Sequence, residues 1–133
     1  VDLSESMILA AKKKKIYDQL FISEIESFLE KDTSKYDFFI STDVFIYVGN
    51  LVNIFRLIGE RSQKSAKLLF CTESLKNGTY KLNNSGRFSH SKKYVVSILE
   101  ENGFRLVSHE QGNLRKEKSE FVLGDFYISE RVS

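Results

Sequence analysis

The chain is 133 residues long, 41% hydrophobic and 29% charged, with a formal net charge of +2. That length fits one compact domain with enough apolar side chains for a core. No apolar run approaches the ~20 residues of a membrane-spanning helix, and the balance of apolar to charged residues excludes wholesale disorder. The single cysteine, Cys71, excludes an internal disulfide and a thiolate zinc site. With His90 and His109 as the only histidines, no pair has metal-ligand spacing, and no metal is expected. Lys12 to Lys15 form the one basic run. A net charge of +2 is too mild for a nucleic-acid binder, so this run reads as a solvated helix end. The first eleven residues carry Asp2 and Glu5 and lack the basic lead of a signal peptide, and the expected compartment is a reducing cytoplasm.

Apolar runs alternate with helical patterns, as in an α/β domain. Val1-Asp2-Leu3 has the character of a strand end. Ser4 and Glu5 then open a helix, with Met7, Ile8, Ala10 and Ala11 on its apolar side. Leu20-Phe21-Ile22 reads as a short strand, and Ile25, Phe28 and Leu29 recur at helical spacing. Tyr36 to Thr42 is the clearest strand of the first half; its continuous apolar residues suggest the interior of a parallel sheet. Asn50 caps a helix running to about Gly59, and Lys67 to Thr72 is the next strand. Turns at Asn77-Gly78 and Asn83 to Gly86 flank a short segment, Thr79 to Leu82. Ser91 caps a helix that ends at Asn102-Gly103, a pair suited to a left-handed C-terminal turn. Arg105 to Glu110 and Phe121 to Ser129 form a closing antiparallel pair, joined by the polar stretch Gln111 to Glu120.

Several segments, in this order, resemble class I S-adenosylmethionine-dependent methyltransferases. Val1 to Met7 is similar to the family's second-strand motif, and Tyr36 to Leu51 to its fourth strand and following loop. Gly86-Arg87-Phe88-Ser89-His90-Ser91, followed by Tyr94, resembles methyltransferase domains found with tetratricopeptide repeats, and Asn102-Gly103-Phe104 the lead-in to the sixth strand. The resemblance spans nearly the whole chain. It implies a Rossmann-like sheet, mostly parallel with an antiparallel C-terminal pair, in one domain over 1–133, and S-adenosylmethionine as cofactor.

The resemblance also implies site residues. Asp2 would accept hydrogen bonds from the ribose hydroxyls, and Met7 would pack on the adenine. Glu24 and Ile25 stand where the family reads the adenine edge, with Glu24 in place of its common aspartate. Asp43 would face the methionine part of the cofactor or the substrate. Phe45 and Tyr47 would line the methyl-transfer pocket, Arg87 and His90 would lie on the segment over the substrate, and His90 is the candidate base. Asp2 and Asp43 are expected to share one nucleoside-sized crevice at the carboxyl ends of the strands.

The family's glycine-rich turn after the first strand is not in this sequence, and Arg61 to Ser65 replaces its usual Pro-Gly-Gly-like turn. The sequence therefore reads as the C-terminal portion of such a domain, lacking the central first strand, with weak cofactor binding expected. Strand edges left open by that gap seek partners, so a homodimer is expected. The acceptor is a small molecule or a protein. The competing reading is a non-catalytic remnant with an interaction role.

Overall fold

A computed structural model describes residues 1–133 and divides them into two compact units, Val1–Ser34 and Lys35–Ser133. In the first unit, Asp2 forms a parallel bridge with Ile22: the Asp2 N–H donates to the Phe21 carbonyl, and the Ser23 N–H to that of Asp2. The expected strands at 1–3 and 20–22 thus shrink to a single bridge. Helix α1 (Glu5–Lys14) begins where the Ser4 hydroxyl accepts from the Met7 N–H, and it carries Glu5 in its first turn and Lys12 to Lys14 in its last. Both ends suit the helix dipole. The chain leaves α1 through Lys15 in the left-handed region, at φ 53°. Helix α2 (Ile25–Lys31) is short, and its Phe28 ring lies 4.9 Å from that of Phe21.

The second unit is built on one six-stranded sheet: β1 (Tyr36–Ser41), β2 (Ser62–Leu75), β3 (Tyr80–Leu82), β4 (Phe88–Ser91), β5 (Phe104–Glu117) and β6 (Glu120–Arg131). The spatial order is β3-β4-β2-β6-β5, with β1 also paired to β2. Only β1–β2 and β2–β4 are parallel; β2–β6, β5–β6 and β3–β4 are antiparallel. The expectation of a mostly parallel sheet is therefore corrected. The C-terminal hairpin is far longer than its apolar runs suggested, because the polar residues 111–117 pair as strand rather than loop. The β3–β4 hairpin adds a further antiparallel pair.

Register divides the residues of β2 between two faces. Leu68, Phe70 and Thr72 share a face with Tyr127 and Ser129 of β6. Helices α3 (Val52–Glu60) and α4 (Lys92–Glu101) pack there, and the core centres on Phe70. Its ring lies 4.8 Å from Tyr127, 5.2 Å from Phe55 and 5.6 Å from Phe45. Burial in this cluster pushes the Tyr127 phenol well above its ordinary pKa. On the opposite face Phe38, Ile40 and Phe126 are exposed.

A bulge in the C-terminal hairpin re-aims a charged side chain. The β5–β6 register shifts between Asn113 and Arg115, so Leu114 is an extra residue on β5. An extra residue turns every later side chain to the other face. Arg115 therefore pairs with Val122 and shares a face with Gly124 and, through Gly124, with Glu73 of β2. Gly124 leaves room for the bulged residue: a Cβ there would stand 2.8 Å from the Leu114 Cβ.

Truncating Phe70 to alanine removes the ring that touches all three neighbours. We expect Phe70→Ala to cost about 3–5 kcal/mol in denaturant unfolding, as for large-to-small changes in packed cores. A cost below about 1 kcal/mol would contradict the core placement.

Candidate functional site

In the first unit the parallel bridge brings Asp2 and Glu24 to the same end of their paired segments. Asp2 is exposed; its Oδ1 accepts from the Ser4 N–H at 2.8 Å, and Oδ2 is left as a spare acceptor. Glu24 is the N-cap of α2, its Oε2 accepting from the Ser27 N–H at 3.4 Å and hydroxyl at 2.9 Å. Ile25 opens that helix. Met7 is 58% exposed in the first turn of α1, so its thioether is available for contact.

In the second unit the parallel neighbour of β2 changes along one edge. Pairing with β1 stops at Ser41–Phe70, and pairing with β4 begins at Glu73–Ser89. The chain leaving β1 turns away in this gap. Asp43 takes a left-handed φ of 58°, and its N–H donates to the Cys71 Sγ at 3.5 Å. Non-glycine residues adopt this conformation rarely and are held there by their surroundings. Burial pushes the Cys71 thiol pKa up, which keeps it a neutral acceptor.

Arg115 closes the gap from the other side. One end of its guanidinium donates to Asp43 Oδ1 and the other to Glu73 Oε1. Burial opposes the charge on Arg115, but the two carboxylates outweigh it and raise its pKa. Glu73 also accepts from Asn83 Nδ2 at 3.4 Å, and the same amide donates to the Ser89 hydroxyl at 2.8 Å. Arg87, on the turn before β4, pairs with Glu117 at the tip of the β5–β6 hairpin. Between the β3–β4 hairpin and Glu117 lies an open cleft of about 430 Å³ with Glu73 in its wall. Its other lining residues include Lys81, Asn83 and Ser85, so it is polar.

Other expected site residues are placed differently. Phe45 is fully buried in a 3-10 turn (Phe45–Tyr47), against Phe55 and Phe70. It belongs to the core and does not line a pocket, whereas Tyr47 in the same turn is 64% exposed. His90 is also fully buried. Its Nε2 lies 2.9 Å from the Gly49 carbonyl, the ring stacks on Tyr94, and Nδ1 is enclosed. Such a ring braces the loop into α3; without access to solvent it is not placed to take a proton from a substrate. Asn50 does not serve as the N-cap residue, which is Leu51, yet its Oδ1 accepts the Val52 N–H at 3.0 Å. His109 has a partner that local sequence did not show: Asp125, 2.8 Å away, which also accepts from the Ser74 hydroxyl at 2.7 Å.

No protein-family model and no curated protein sequence matches the chain. Solved structures do match. A methyltransferase dependent on S-adenosylmethionine from Methanosarcina mazei superposes with a TM-score of 0.72 at 12% identity, over 98% of this chain and 80% of that one. Magnesium protoporphyrin IX methyltransferase from Synechocystis, with bound S-adenosylmethionine, gives 0.67 at 18% identity, over 97% and 56%. The N-methyltransferase NodS from Bradyrhizobium japonicum, in complex with S-adenosylhomocysteine, gives 0.71 at 12% identity, over 99% and 65%. The chain thus has a class I S-adenosylmethionine-dependent methyltransferase fold, and it spans as little as about half the length of some structures it resembles.

Burial lowers the pKa of His90. As pH falls below about 6.5 the unfolded chain binds a proton that the folded ring resists, so stability should fall with it. We expect unfolding free energy to decrease from pH 7 to pH 5, and to decrease less in His90→Gln, whose amide keeps a donor for the Gly49 carbonyl. Equal slopes in denaturant melts of the two proteins would remove His90 as the source.

Proposed function

We propose that the chain is the C-terminal portion of the catalytic domain of an S-adenosylmethionine-dependent methyltransferase. The observation that carries this reading is the methyltransferase fold shared with several such enzymes, taken with acidic residues at the positions the resemblance assigns. In the first unit, Asp2 has one carboxylate oxygen spare for ribose hydroxyls, and Met7 offers an exposed apolar side chain for the adenine. Glu24 is occupied as a helix cap through Oε2, leaving Oε1 for the base edge. In the second unit, Asp43 and Tyr47 are exposed at the end of β1 and in the turn beyond it. The cofactor supplies an activated methyl group on a sulfonium; the residues of this chain bind, orient and shield it. No base is assigned, because His90 is enclosed.

The methyl acceptor is a small molecule or a protein. A polar acceptor suits the cleft walled by Glu73, Lys81 and Asn83. No helix is long and apolar enough to cross a membrane; the cytoplasmic location in this reading rests instead on the lone cysteine, which fits a reducing compartment. Self-association belongs to the same reading, since β1 pairs with β2 alone and carries Phe38 and Ile40 exposed. Light scattering after size exclusion is expected to report a dimer; a monomer at all concentrations would overturn that part.

Calorimetric titration with S-adenosylmethionine and S-adenosylhomocysteine tests the main reading. Binding of both is expected, with affinity reduced about ten-fold by Asp2→Ala, which removes a charge-assisted acceptor. No detectable binding at millimolar ligand would favour the remnant reading, in which the chain keeps the fold and not the chemistry.

A further inference from the structure

The proposed function leaves Arg115 unassigned, although it bridges two carboxylates of the second-unit site. It lies 72 residues from Asp43 and 42 from Glu73 in sequence, and its side chain is only 16% exposed. A bulge at Leu114 turns it toward them. Of the two carboxylates it bridges, Glu73 is buried and tied to Asn83, so its charge is fixed in place. Asp43 is 59% exposed and sits in a left-handed turn, so the Arg115 contact and the Cys71 contact are what hold it. Two carboxylates and one guanidinium leave one net negative charge. Arg87 and Glu117 cancel each other, and Lys81 is exposed, where water and salt screen it.

This charge matters for methyl transfer because donor and product differ in charge. The acceptor forms its bond to the methyl carbon as the carbon–sulfur bond breaks. That electron pair stays on sulfur, and a sulfonium becomes a neutral thioether. A carboxylate near the sulfur favours the donor, and a guanidinium on that carboxylate weakens the preference and lets the product compete less unequally. We propose that Arg115 is a positioning residue that holds Asp43 and sets how strongly the site prefers the cationic donor over its neutral product. This rests on the reading of Asp43 as a carboxylate facing the cofactor.

The test measures dissociation constants of S-adenosylmethionine and S-adenosylhomocysteine on the full chain, for the wild type, Arg115→Gln, Arg115→Lys and Asp43→Asn. Removing the positive charge in Arg115→Gln is expected to raise the donor-to-product affinity ratio about three- to ten-fold, the size of one charge acting over a short, partly screened distance. Asp43→Asn is expected to lower the ratio by a similar factor, and Arg115→Lys to stay near wild type. If both compounds bind and the ratio moves less than about two-fold in Arg115→Gln, the inference falls while the cofactor reading stands. If Arg115→Gln does not fold, Arg115→Met, which removes the same charge and keeps the aliphatic stem, decides: a raised ratio supports the inference and an unchanged one overturns it. If neither compound binds the wild type, the cofactor reading fails and the inference with it.

Discussion

The second unit depends on β2 having neighbours on both edges, one of which is shared by two strands in succession. β6 pairs along one side of β2 from Lys67 to Glu73, while β1 and then β4 occupy the other. A strand so placed is covered by hydrogen bonds along most of its length, and its Phe70 anchors the aromatic core. The handover from β1 to β4 leaves the two-residue interval of Cys71 and Thr72, where the chain from β1 departs and Asp43 turns over the Cys71 sulfur. Crevices at the carboxyl ends of parallel strands arise where neighbouring chains diverge in this way. The candidate site of this unit is therefore a consequence of pairing, and its polar residues are gathered around that interval.

Ion pairs then join elements that backbone pairing does not. Arg115 ties β5, which pairs with neither, to β2 and to the end of β1, and Arg87 ties the hairpin tip to the turn before β4. Each partner comes from a different part of the chain. The hairpin is thus more than an edge of the sheet: it carries a cation to the place where the sheet opens. The polar cleft beside Glu117 and Glu73 has this hairpin as one wall and the β3–β4 hairpin as the other.

Much of this architecture is legible in the amino-acid order. The apolar run Tyr36 to Thr42, the Ser91 cap and the Asn102-Gly103 stop all correspond to observed elements, because each is a local signal. Strand length is less legible. β2 extends through Glu73 to Leu75, and the hairpin includes residues 111–117, because cross-strand pairing overrides the polarity of those side chains. The roles expected for Phe45 and His90 follow from position in a motif, and burial reassigns both to support of the loop into α3. Arg115 and Glu73 carry no local signal of their meeting. It requires a bulge at Leu114 and a glycine beside it on β6, and no local pattern announces either a one-residue shift within the hairpin or the meeting of two residues 42 positions apart.

The far part of the hairpin, residues 113–117 and 120–123, pairs only with itself, whereas residues 124–130 are stitched into β2. What fastens that free length to the rest of the unit includes guanidinium–carboxylate contacts, and dissolved ions weaken such contacts more than they weaken backbone ladders or aromatic packing. The molecule accordingly has two grades of cohesion. Raising ionic strength would loosen the overhang first, so that its amides exchange with solvent while those of the Phe70 layer stay protected.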